Sequence, residues 1–159
     1  MYDSPTALSP DARGTIAKAL AVVLTDGIDL HSQIKVAHWN IKGPHFVSLH
    51  PLFDTLATEL AAHNDAIAER IVTLGGLAVG TARHVAAHSR LPDYPQETTL
   101  DLEHVKLLAA RIGIYLESAR SARVAADKNG DEEAVDLLTQ AVQAFEKHAW
   151  FLRATLGGR

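Results

Sequence analysis

HPLFDTLATELAAHNDAIAERIVTLGG, residues 50–76, decides the fold by its spacing. Leu52, Leu56, Leu60, Ile67, Ile71 and Leu74 recur at helical intervals until Gly75-Gly76 stops them. A second stripe runs beside this one. His50 and Asp54 lie four residues apart, as do Asp65 and Glu69, so each pair sits one turn apart on one face. The eleven residues from Asp54 to Asp65 are nearly a whole number of turns, which keeps both pairs in phase. Such a helix has one face for a core and another carrying imidazole and carboxylate.

The flanking sequence supplies its partners. Ser9-Pro10 reads as a cap and first helical position, followed by a stripe of Ile16, Leu20, Val23, Leu24, Leu30, Ile34 and Ala37 that lasts to Trp39. Gly43-Pro44 breaks this helix, and the quoted one is expected to begin near Ser48 with Pro51 in its first turn. Residues 76–99 form a long crossover with room for a short helix after Thr81 and a turn-rich LPDYPQETT. A third helix is expected from Thr99 to about Lys128, with Asp101 and Glu103 at the positive end of its dipole. Asn129-Gly130 caps it, and a fourth helix runs from Asp131 to Leu156 before Gly157-Gly158. No segment alternates as a strand, repeats or is of low complexity. The expected architecture is all-α: a four-helix bundle with a short helix in the crossover between helices two and three, residues 1–159 forming one domain with a tail at 1–9.

Composition narrows the chemistry. The chain has 159 residues, no cysteine, 15 basic and 19 acidic side chains and a formal charge of −4. Disulfides, thiolate metal sites and a cysteine nucleophile are thereby excluded. Nine histidines beside those carboxylates are a ligand set for borderline and hard cations. The N-terminus lacks a basic region followed by an apolar one, and the uncharged run from Ile71 to Ala82 is too short to span a bilayer. A soluble, cytoplasmic protein without a membrane partner is the expectation. The first thirty residues hold only Arg13 and Lys18 against Asp3, Asp11, Asp26 and Asp29. With no basic tail and a net negative charge, DNA binding is doubtful.

Helical rise then constrains where a metal could sit. Asp54 and Asp65 are separated by about 16 Å along the axis, and His50 and Glu69 by nearly 30 Å. Metal–ligand bonds are about 2.0–2.6 Å. One helix cannot close a site from both pairs. Two copies, antiparallel about a two-fold axis near Glu59 and Leu60, bring His50/Asp54 of one chain to Asp65/Glu69 of the other and create two equivalent sites. Between the pairs lie Ala57, Thr58 and Ala61, small enough for close helix approach. A solvated acidic face accounts for either pair alone, but less well for two in phase around such a seam.

HWNIKGPHFVSLHPLFD (38–54), HNDAIAERIVTLGG (63–76) and DKNGDEEAVDLLTQAVQAFEKHAWFL (127–152) resemble the Dps family, the mini-ferritins of the ferritin-like superfamily. The likeness covers nearly the whole chain. It implies that His38, His50 and Asp54 of one subunit join Asp65 and Glu69 of a two-fold mate as a ferroxidase centre, with these five residues both binding the metal and catalysing. It implies iron as the metal, which zinc could replace, and hydrogen peroxide as preferred oxidant. It also implies ferric mineral stored in a homododecamer built through two-fold and three-fold interfaces, and protection against oxidative stress. Asp127, Glu132 and Asp136 match acids lining a three-fold pore through which iron would pass; capping the fourth helix is an alternative reason for acids there. Trp39 matches a radical trap, or else packs. Ordinary ferritins and bacterioferritins place the centre within one bundle using Glu-x-x-His motifs, and none occurs here. The competing reading from another class is a nucleoid-associated, DNA-coating shell in which iron chemistry is secondary.

The other histidines are expected to matter less. His31, two turns before His38, is either structural or at the edge of the site. His63 points away from Asp65, and His45 belongs to the turn. His84 and His88 are a surface pair that could take a metal, and His104 and His148 show no partner at useful spacing.

Overall fold

The computed structural model describes residues 1–157. It contains five helices: α1 (Pro10–Asn40), α2 (Phe46–Thr73), α3 (Ala82–His88), α4 (Asp101–Lys128) and α5 (Glu132–Thr155). No strand forms among the described residues, only an isolated bridge between Lys42 and Leu100. The expected all-α four-helix bundle with a short crossover helix is what the chain adopts.

Local sequence sets the ends. The Ser9 hydroxyl accepts from the Ala12 amide at 3.2 Å and caps α1. Asp131 does the same for α5, accepting from the Ala134 amide at 2.9 Å. Its buried carboxylate also receives Arg70 from α2, so one acid both starts α5 and joins it to α2. Gly130 adopts φ +75°, a conformation that an L side chain rarely takes, in the α4–α5 turn. α2 begins at Phe46, two residues before the expected start, so Pro51 lies beyond its first turn. The helix tolerates this because the carbonyl that Pro51 leaves without a donor belongs to Val47, a residue 86% exposed and open to water.

α1 packs against α2 and α4, and α4 against α5, around Leu20, Ile34, Phe53, Leu60, Ile67, Tyr115 and Phe145, all fully buried. The crossover runs the length of the bundle. At one end Arg13 of α1 reaches the Leu74 carbonyl. At the other, Lys42 donates to the Thr99 carbonyl at 2.8 Å and accepts from the Asp101 amide at 2.9 Å. Two polar clasps hold it down. Arg90 donates to the fully buried carboxylate of Asp26, which also accepts from the Ser118 hydroxyl at 2.6 Å. Arg111 donates to the carbonyls of Pro92 and Asp93 and to the side chain of Gln33. Met1 to Leu8 fold back onto the bundle, with the Tyr2 amide on the Gly75 carbonyl and the Ser4 hydroxyl on the Thr73 carbonyl.

His104 and His148 have partners that spacing could not reveal, because those partners lie on other elements. The Tyr94 hydroxyl bonds His104 Nδ1 at 2.6 Å, and His148 Nε2 meets Glu59 of α2 at 2.6 Å. Burial is the main force pushing the pKa of His104 below its ordinary 6.5, and it does the same for His63. The unfolded chain therefore takes up more protons than the folded one as pH falls below about 6.5, so these groups contribute stability above that pH and lose it below. The melting temperature is expected to fall between pH 7 and pH 5.5, and His104→Gln to flatten that slope in a calorimetric pH series.

Candidate metal centre

The turn between α1 and α2 brings His38 and His50 face to face. Their rings stack with centroids 3.8 Å apart and planes inclined by 24°. The contact is reciprocal: His38 Nδ1 bonds the His50 carbonyl at 2.8 Å, and His50 Nδ1 bonds the His38 carbonyl at 2.9 Å. A carbonyl can only accept, so each Nδ1 carries a proton, and in the neutral ring each Nε2 then presents a lone pair. This is the tautomer that metal-binding imidazoles use, with the second nitrogen fixed by a backbone acceptor. Asp54 stands one turn further along α2, its Oδ1 4.0 Å from His38 Nε2.

Lys35 completes this cluster. Its ammonium donates to Asp54 Oδ1 at 2.6 Å and, chiefly through that bond, holds the Asp54 carboxyl below its ordinary pKa. The carboxylate is thus ionised and already paired with a cation. A metal ion at this position competes with Lys35 for Asp54. Lys35→Met is therefore expected to tighten Zn²⁺ binding about two- to fivefold, the worth of an exposed ion pair, in a calorimetric titration. Lys35 lies three residues before His38, so the sequence did carry a signal: a cation on the same helix face.

Asp65 and Glu69 are exposed on the C-terminal half of α2 and do not join this cluster within one chain. Asp65 instead edges a cavity of about 360 Å³ between α1, α2 and the crossover, together with His31, Asn64 and Gly80. Among the described residues of one chain, no group of three or more His, Asp and Glu side chains is arranged to hold a metal ion. Of the seam residues, Thr58 and Ala61 are exposed while Ala57 is buried in the bundle's own core. Trp39, beside His38, is 68% exposed, and Phe46 and Val47 at the start of α2 are exposed too.

The three acids at the α4–α5 turn do come together. Asp127, Glu132 and Asp136 line one depression of about 280 Å³ with Gly130 and Thr139, and all three carboxylates are exposed. The α5 cap is Asp131, and Glu132 lies in the first turn of α5 where a carboxylate suits the helix dipole, while Asp127 and Asp136 lie outside that turn. His31 lines the same cavity as Asp65, and burial, then the nearby Lys35 charge, lowers its pKa. His63 packs edge-on against Phe145, and His45, in the turn before α2, bonds Asp101 at 2.9 Å.

The ferritin-like domain model matches residues 17–158. The DNA protection during starvation protein of Agrobacterium fabrum is 38% identical over 147 residues, covering 92% of this chain and 91% of that protein. The structure of DpsC from Streptomyces coelicolor superposes with a TM-score of 0.92 at 34% identity, over 97% of this chain and 90% of that one. A Dps protein from Vibrio cholerae, described as a member of a broad superfamily of ferritin-like diiron-carboxylate proteins, superposes at 0.91 with 25% identity over 98% of both chains.

Proposed function

The chain belongs to the Dps proteins of the ferritin-like family, and from that footing we propose that it is a ferroxidase whose iron centre is shared between two copies. The observation that carries the reading is the reciprocal tie of His38 and His50, which leaves two Nε2 lone pairs and the ionised Asp54 on one patch. That patch is half of a centre. Asp65 and Glu69 of a second chain, arranged antiparallel across the exposed face of α2, supply the carboxylates of the other half. Exposed Trp39, Phe46 and Val47 give that face the apolar area a second copy would cover.

Iron is the substrate here. Two imidazoles and three carboxylates suit Fe(II), and the carboxylates favour the harder Fe(III) product. With hydrogen peroxide as oxidant, each of two Fe(II) ions gives up one electron, the pair of electrons breaks the O–O bond, and two protons complete two waters. No hydroxyl radical is released when both electrons arrive together. The exposed acids Asp127, Glu132 and Asp136 form a negative depression that would concentrate Fe(II) where copies meet around a three-fold axis. Twelve such chains would enclose the ferric product in a cytoplasmic shell.

Protection of DNA, the property named in the relatives, follows from removing iron and peroxide and needs no coat on the DNA. The N-terminal residues are docked on the bundle and carry no basic cluster. A gel shift with metal-free protein is expected to show no tight binding above about 0.15 M salt. The reading itself is tested by stopped-flow oxidation of Fe(II) with peroxide and with oxygen: fast, saturable oxidation by peroxide supports it. Rates no greater than those of free iron would refute it.

A further inference from the structure

We propose that His84 and His88 on α3 form a second metal site, a two-imidazole chelate for a borderline divalent cation such as Ni²⁺, Zn²⁺ or Cu²⁺. The pair lies at i,i+4, one turn apart, the spacing by which helices present two histidines to one metal. Their rings stack with centroids 4.2 Å apart at 19°. His88 Nδ1 donates to the His84 carbonyl at 2.8 Å, which leaves His88 Nε2 as the lone-pair nitrogen.

This shares with His38 and His50 a stacked ring pair, but here only one Nδ1, that of His88, is tied to a backbone carbonyl. Bundle packing does not require it here. Only Val85 of α3 is buried; His84 is half-exposed and His88 exposed. The helix is nonetheless held in place. It packs against α1 through the buried Val85, and Arg90 just beyond it is clasped by Asp26. A fixed backbone means that little order is lost when a metal binds.

The donor set selects the cation. Two neutral imidazoles with no carboxylate in the pair favour metals late in the divalent series over Mg²⁺, Ca²⁺ or Fe²⁺. Binding at a metal–nitrogen distance of about 2.0–2.1 Å would require the donor edges of the two rings to converge on one ion, with water filling the remaining positions. The site shares no residue with the proposed iron centre, so it stands whatever becomes of that reading.

Equilibrium dialysis of the full chain against Ni²⁺ at pH 7.5 tests it, with wild type compared to His84→Ala, His88→Ala and His88→Phe. The last variant keeps a stacked ring and removes only the donor. Wild type is expected to bind one more Ni²⁺ per chain than any variant at matched concentration. Each variant is expected to lose about 100-fold in affinity for that ion, as a chelate reduced to a single ligand does. Iron oxidation should be the same in all four. Equal Ni²⁺ stoichiometry and affinity in wild type and His88→Phe would overturn the proposal.

Discussion

Asp65→Ala is expected to lower the initial rate of Fe(II) oxidation by about 100-fold or more. Loss of even an outer partner of a metal ligand costs about 10- to 100-fold in metal affinity, and Asp65 is proposed as a direct one. The fold should not notice. Asp65 is exposed and makes no side-chain hydrogen bond among the described residues, so circular dichroism and melting temperature should match wild type. The same substitution leaves His38, His50 and Asp54 untouched in its own chain, since Asp65 sits far along α2 from them. A normal rate in Asp65→Ala would remove the carboxylate half from the centre.

The largest effect on stability is expected from Arg90→Ala. Asp26 is fully buried, and its carboxylate is compensated by Arg90, the Ser118 hydroxyl and the Arg90 backbone amide. Removing the guanidinium leaves a buried charge with two neutral donors. Breaking a buried pair in this way costs about 3–5 kcal/mol. The remaining donors and the partial exposure of Arg90 place this case near about 3 kcal/mol, read as a reduced denaturant midpoint in urea. The loss should fall on the crossover first, because Arg90 is one of its two clasps. Asp26→Asn in the same background removes the stranded charge and is expected to restore part of the loss.

Much of this was legible in sequence because helices report themselves through local period. Ile16 to Ala37 and Leu52 to Leu74 predicted α1 and α2, and Thr81 with the turn-rich LPDYPQETT located the short helix and the crossover. The start of α2 differs from the expected Ser48 because Pro51 reads as a first-turn residue, and sequence does not reveal that the residue four before it, Val47, is largely exposed. Contacts between elements were illegible for a different reason: His148 with Glu59, and His104 with Tyr94, are brought together by packing and carry no spacing signal. The proposed half-site was legible as residue types in phase, but its hydrogen bonding was not. Sequence cannot show that each Nδ1 is occupied by the other histidine's carbonyl, or that Lys35 already sits on Asp54. Ala57 lies between the two pairs in sequence and belongs to the core, because it sits where the two faces of α2 meet.

The central claim, that one centre is built from two chains, is tested most directly by mixing two inactive variants. His50→Ala and Asp65→Ala chains, each nearly inactive alone, are refolded together in equal amounts with different affinity tags, the iron oxidation rate of the whole mixture is measured, and co-capture of the two tags on a separate sample verifies mixed dimers. In a mixed dimer one centre receives both damaged halves and the other receives neither, so random pairing leaves about a quarter of all centres intact. A return to about a quarter of the wild-type rate is the predicted result. A mixture as inactive as its components, with mixed dimers verified, would contradict the shared centre.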